Sequence, residues 1–168
     1  MKLQFDTTKE YAVVLEGGGA KGAYEVGVWK ALRENGVNIN AVAGSSVGAL
    51  NGALFAMEDM EKVENLWKNI SFSRVMDVDD TVMEKIYRLD LKGLDIGTIV
   101  KSVTDVIKDG GFDIEPLLQL LDEIVDEEKI RKSPIALFMV TYSITDKRQL
   151  DLDARLLEDG KLKEMLLA

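Results

Sequence analysis

Apolar and polar positions fall into blocks along this chain, and the blocks have two different periods. Tyr11-Ala12-Val13-Val14-Leu15 is an unbroken apolar run stopped by Gly17-Gly18-Gly19. Such a run predicts a buried parallel strand. From Ala20 to Glu34 the pattern turns helical, with Ala23, Val26, Gly27, Trp29, Lys30 and Leu32 putting small and apolar groups mostly on one side. Asn35-Gly36 supplies the stop signal of a helix C-terminus. Ile39 to Ala43 is a second strand, ended by Gly44. Val47 to Met57 is a helix of small residues, including Gly48, Ala49, Gly52 and Ala53, which can lie very close to a sheet.

Asp59 to Ile70 predicts a further helix. Ser71 to Gly111 is rich in acids and has no strand signal, and Ile96, Ile99, Val100, Val103 and Ile107 follow helical spacing. Leu117, Leu118, Leu121, Ile124 and Val125 repeat that spacing behind Pro116, which suits a first helical turn. Ser133-Pro134 introduces a third strand, Ile135 to Tyr142, and Lys147 to Leu152 forms a fourth. The expected fold class is α/β: a mainly parallel sheet with helices on both faces and a helical insertion over about residues 71–132. The expectation is one domain over residues 1–168. Reactive groups in such sheets sit at the carboxyl ends of strands, where both glycine motifs fall.

Gly44-Ser45-Ser46-Val47-Gly48 follows a strand and opens a helix. That is the setting of a nucleophile elbow, whose sharp turn needs glycines two residues either side of an exposed serine. Ser46 is the candidate nucleophile, and the Ser45 hydroxyl is expected to point elsewhere. The helix from Val47 aims its N–H groups at the site and favours negative charge there. The plainer reading is a serine helix cap. Gly17-Gly18-Gly19-Ala20-Lys21-Gly22 is the second motif. Consecutive glycines can present backbone N–H groups to a phosphate or an oxyanion, or simply make a tight strand-to-helix turn. A dinucleotide site would want an acid at the end of the next strand, which ends instead in Gly44-Ser45-Ser46. Lys21 is a cation at a helix start, where the dipole opposes it; a site anion or solvent exposure would relieve the misfit.

Composition narrows the chemistry. A net charge of -9 argues against nucleic acid and against electrostatic docking onto anionic lipid, though apolar insertion into a lipid surface stays open. There is no Cys, hence no disulfide or thiolate nucleophile. There is no His, so a Ser-His-Asp triad cannot form within this chain. The start has no apolar stretch of signal-peptide length, and no apolar run could span a bilayer. A cytoplasmic location is the expectation.

An anion cradle on one strand, a serine elbow on the next and no histidine resemble the patatin-like phospholipases and acyl hydrolases. The loop residues are Gly17, Gly18, Gly19, Lys21 and Gly22, and Ser46 matches the nucleophile. Gly110-Gly111-Phe112-Asp113, Pro116-Leu117 and the Ile135-to-Asp146 strand with its exit also look similar. The resemblance implies a Ser-Asp dyad that hydrolyses lipid esters through a covalent acyl-enzyme, with an oxyanion hole at Gly17, Gly18 and Gly19. It implies no metal and no organic cofactor. The partners implied are a phospholipid or other lipid ester and a transient contact with a membrane surface. Glu16 stands where the family often has Asp. The dyad aspartate of the family lies in Asp-Gly-Gly or Asp-Gly-Ala on a later strand. Asp109-Gly110-Gly111 reads as a helix-ending turn instead, and Asp159-Gly160-Lys161 lacks the third small residue. The expectation is therefore an N-terminal portion, with the aspartate coming from further sequence or a second chain. Alternatives are a nucleotide-phosphate enzyme using the glycine loop and an inert binding domain of the same fold.

Overall fold

The computed structural model describes residues 5–75, 80–81 and 115–168. The helical spacing from Ile96 to Ile107 and the Asp109-Gly110-Gly111 turn lie outside the described residues. The chain divides into two compact units, residues 1–68 with 125–168, and residues 69–124.

In the first unit, β1 (Glu10–Leu15), β2 (Asn38–Gly44), β3 (Ala136–Ser143) and β4 (Arg148–Asp153) form one sheet in that order. The first three are parallel, and β4 returns antiparallel to β3. Leu15, Gly44 and Met139 stand in register across β1, β2 and β3. The carboxyl ends of β1 and β2 are thus level, so the chain segments leaving them emerge side by side.

Helix α1 (Gly22–Glu34) joins β1 to β2, and α2 (Val47–Ala56) leaves β2. Small residues let α2 lie close against the sheet. A Cβ at Gly52 would sit 3.1 Å from Leu137 Cδ1 and 3.4 Å from a Val42 methyl. Leu15, Val42, Leu137 and Met139 are buried on that face. Helix α1 packs on α2, where Trp29 stacks on Phe55 with ring centroids 4.4 Å apart. Its buried residues are Gly22, Glu25, Val26 and Trp29, while Ala23 and Gly27 face solvent. The end is set by Gly36 at φ 69, with Gly36 N–H on Arg33 O and Val37 N–H on Leu32 O. Those two bonds satisfy carbonyls the helix leaves open. The expectation of helices on both sheet faces is met on one face by α2. On the other, Val14 is 80% exposed, and Phe138, Val140 and Tyr142 are exposed as well.

Helix α3 (Met60–Asn69) follows α2, and its Val63 is buried. In the second unit, α4 (Glu115–Ile124) buries Leu120, Leu121 and Ile124, and Arg74 pairs with its Glu123 at 2.8 Å. Back in the first unit, α5 (Glu127–Lys132) is capped by the Asp126 side chain, which accepts from Lys129 N–H. Glu127 accepts from Arg131 Nη2 at 2.6 Å and from Gly160 N–H at 3.0 Å. Burial works to raise the Glu127 pKa, but the Arg131 guanidinium and the Gly160 N–H outweigh it and leave the carboxyl below its ordinary value. Arg131 also donates to Glu158 O at 2.9 Å, so this pair fixes the turn that leads into α6 (Leu162–Leu167). Among the described residues no helix is long and apolar enough to cross a membrane.

Candidate active site

The elbow is built by exclusion of side chains. A Cβ at Gly44 would lie 2.3 Å from the Gly48 carbonyl carbon, and one at Gly48 would lie 2.6 Å from Leu15 O. No real Cβ contact is that short, so both positions need glycine for β2 to turn straight into α2. The turn throws Ser46 to φ 51 and ψ −130. Side chains rarely adopt that backbone region. A capping serine has extended dihedrals and accepts an N–H from the first helical turn. Ser46 has neither feature: its hydroxyl makes no cap hydrogen bond, and the residue is exposed. Its neighbour Ser45 is half-buried, and Ser45 O accepts the Gly48 N–H at 2.9 Å. The cap reading therefore fails, and the Ser46 hydroxyl stands open to solvent at a strained position.

The glycine loop lies alongside. A Cβ at Gly17 would sit 3.2 Å from Ser46 Cβ, so Gly17 brings the loop directly against the elbow. Gly18 at φ 145 and Gly19 at φ 56 then turn the chain into a short 3-10 turn, Gly19–Lys21. Lys21 N–H closes on Gly18 O at 3.2 Å. Among the described residues neither the Gly18 nor the Gly19 N–H donates a hydrogen bond. Two free N–H donors next to an exposed serine suit an oxyanion. Lys21 bends back over Gly18, and its Nζ lies 3.8 Å from Glu16 Oε1. The lysine charge at the helix start is thus partnered by an exposed carboxylate of the same loop.

No carboxylate among the described residues hydrogen-bonds the Ser46 hydroxyl. Asp159 is fully exposed and lies 3.8 Å from Arg131 on the α5 side of the unit.

One group behind the loop was not singled out by the sequence pattern. Asn51 is 1% exposed on α2. It donates to Gly22 O at 3.0 Å and to Glu25 Oε2 at 2.8 Å, and it accepts from Trp67 Nε1 at 2.8 Å. The available signal was that Asn51 is the one polar side chain in the α2 segment VGALNGALFA.

The sequence matches the family described as Patatin-like phospholipase over residues 13–168. Over 50 residues the chain is 50% identical to Lysophospholipase nte1 of Aspergillus terreus, a match covering 30% of this chain and 3% of that protein. Over 52 residues it is 50% identical to Patatin-like phospholipase domain-containing protein 7 of Mus musculus, covering 31% of this chain and 4% of that protein. The fold is similar to the crystal structure of VipD from Legionella pneumophila, with TM-score 0.53 and 20% identity over 92% of this chain and 41% of that one. It is also similar to the type III effector protein ExoU, with TM-score 0.50 and 20% identity over 93% of this chain and 38% of that one. With its matching segment running from the middle of β1 to Ala168, the chain belongs to the patatin-like phospholipase family.

Proposed function

We propose that this chain carries the nucleophile and oxyanion hole of a serine acyl hydrolase acting on lipid esters, of phospholipase A or lysophospholipase type. The observation that carries the proposal is Ser46 held at φ 51 and exposed, with Gly17 packed against it. The likeness to a lysophospholipase supports the substrate class.

Ser46 Oγ attacks the ester carbonyl carbon while a base takes its proton. The N–H groups of Gly18 and Gly19 hold the oxyanion, and Gly17 shapes the turn. The ester C–O bond then breaks, and the proton passes to the leaving alcohol. Water attacks the acyl-enzyme, releases the fatty acid and restores Ser46. The chemistry needs no metal or organic cofactor. The base in this reading is an aspartate from outside the described residues or from a second chain; among the described residues no carboxylate hydrogen-bonds the Ser46 hydroxyl. The exposed apolar groups meet the lipid by insertion rather than by charge.

A fluorophosphonate probe followed by intact mass tests the reading. The wild-type chain and Ser45→Ala should gain one adduct, and Ser46→Ala none. Undiminished labelling of Ser46→Ala overturns it. A thermal shift with ATP or NAD and no labelling favours a nucleotide enzyme. For the base, full turnover by this chain that is lost in Asp109→Asn would place the aspartate inside it.

A further inference from the structure

The glycine loop is held at both ends, by different means. At its start the backbone does the work: Leu15 O lies against Gly48, and Gly17 lies against Ser46. At its end Gly22 is wedged between Trp67 and Val47, where a Cβ would lie 2.5 Å from the indole and 2.8 Å from a Val47 methyl. The Gly22 carbonyl is held by the Asn51 amide at 3.0 Å. Val47 and Asn51 are one turn apart on α2, so the face that carries the elbow residue also carries the hold on the loop exit. Gly18 and Gly19 lie between the two holds.

The orientation of the Asn51 amide is determined by its partners. Trp67 Nε1–H can only donate, so Oδ1 faces it; Gly22 O accepts, so Nδ2 faces that side and Glu25. Glu25 is 8% exposed in the first turn of α1, where the helix dipole favours a carboxylate. A buried asparagine in a helix of small apolar residues is costly unless every polar atom is satisfied, and here each is. A core of this kind could be closed with leucine. The three bonds instead join the loop exit, α1 and α3 to the nucleophile helix.

We infer that Asn51 is a positioning residue: held by Trp67 and Glu25, it sets the exit of the glycine loop relative to Ser46 and so places the Gly18 and Gly19 N–H groups. Its catalytic consequence rests on the acyl-hydrolase reading above.

The test uses the full chain and two readouts. One is the rate of Ser46 modification by a fluorophosphonate, well below the melting temperature. The other is deuterium exchange at the Lys21 and Gly22 amides, which bond back onto Gly18 and Gly19. Asn51→Asp removes the donor to Gly22 O and sets two carboxylates together. Ile130→Ala, a buried position on α5, which packs on β3, serves as a destabilised control. Asn51→Asp should slow labelling at least tenfold and speed exchange, while Ile130→Ala stays within twofold of wild type. Glu25→Gln/Asn51→Asp returns a donor to the pair and should recover part of the rate. Trp67→Phe, which removes the indole N–H and part of the ring packed on Gly22 but leaves the Asn51 amide donor in place, should slow labelling by a smaller factor. Equal labelling by wild type and Asn51→Asp overturns the inference, as does equal slowing by Ile130→Ala. If wild type itself does not label, the acyl-hydrolase reading fails, and exchange decides the positioning role. Faster exchange in Asn51→Asp than in Ile130→Ala upholds that role, and equal exchange overturns it.

Discussion

Replacing Ser46 with glycine should make the protein more stable while removing the candidate nucleophile. Ser46 sits at φ 51 and ψ −130, a region that glycine enters freely and side chains do not. Holding a side chain in such a region costs about 1–3 kcal/mol. Glycine also loosens the unfolded chain, which offsets about 0.5–1 kcal/mol of the gain. The net expectation is about 1 kcal/mol of stabilisation, or about 2–4 °C in Tm for a chain of this size. Ser46→Ala is the control. It keeps the Cβ and hence the strain, and it loses only an exposed hydroxyl that caps nothing. Its stability should lie within about 0.5 kcal/mol of wild type. Thermal melts by circular dichroism, run beside fluorophosphonate labelling, separate the effects: neither variant labels, and only Ser46→Gly melts higher. A Ser46→Gly melt at or below that of Ser46→Ala would refute the argument that the elbow stores strain at its serine.

Gly48→Ala should destabilise by about 3 kcal/mol, because its Cβ would enter within 2.6 Å of Leu15 O and 2.8 Å of Glu16 O, both backbone atoms that cannot swing aside. Gly27→Ala, an exposed position in α1 with nothing within 4 Å of its Cβ, should stabilise by about 0.5–1 kcal/mol. Opposite signs in urea melts check this pair, and equal signs would refute it. Glu127 contributes through a carboxyl held below its ordinary pKa, so its contribution is full above about pH 4.5 and is lost as pH falls through the lowered value. The urea midpoint of wild type should therefore fall more steeply below that pH than the midpoint of Glu127→Gln, and parallel curves would refute the assignment.

The sheet and its first two helices were legible because their periods are clean and their breaks are glycines with steric reasons. The run Tyr11-to-Leu15, the stop at Asn35-Gly36 and the elbow pentapeptide each correspond to an observed element or turn. What the pattern obscured is instructive. The run of β1 reads as buried on both faces, yet Val14 is 80% exposed, because hydrophobicity reports what a strand tolerates and not what covers it. Ala23 and Gly27 were grouped on one side of α1 with Val26 and Trp29, but both are exposed and small enough to sit on either side, and the buried side holds Glu25. A buried glutamate is illegible to a hydrophobic count, since its partners Asn51 and, through it, Trp67 come from 26 and further residues away. The Lys21 misfit was visible as a charge at the wrong helix end, but its Glu16 partner followed only from the way the loop folds back.

The proposed nucleophile and oxyanion donors lie on one continuous stretch, from β1 through α2. Register puts the two strand ends level, glycines let the chain turn there, and the Asn51 group ties the loop exit to the nucleophile helix. None of these devices involves the base. On the proposed reading the base is the part of the site that reaches in from another segment, as an aspartate. Formation of a covalent adduct with a strongly activated phosphonate and turnover of an ester therefore make different demands on this molecule. The first draws on the strained serine and the loop N–H groups, with solvent taking the serine proton as fluoride leaves the reactive phosphonate; the second also needs a proton acceptor aligned with Ser46 Oγ. A protein that labels at Ser46 but turns over only when an aspartate-bearing segment is supplied would show both halves of that division. Equal turnover with and without such a segment would mean that the acceptor lies within these 168 residues.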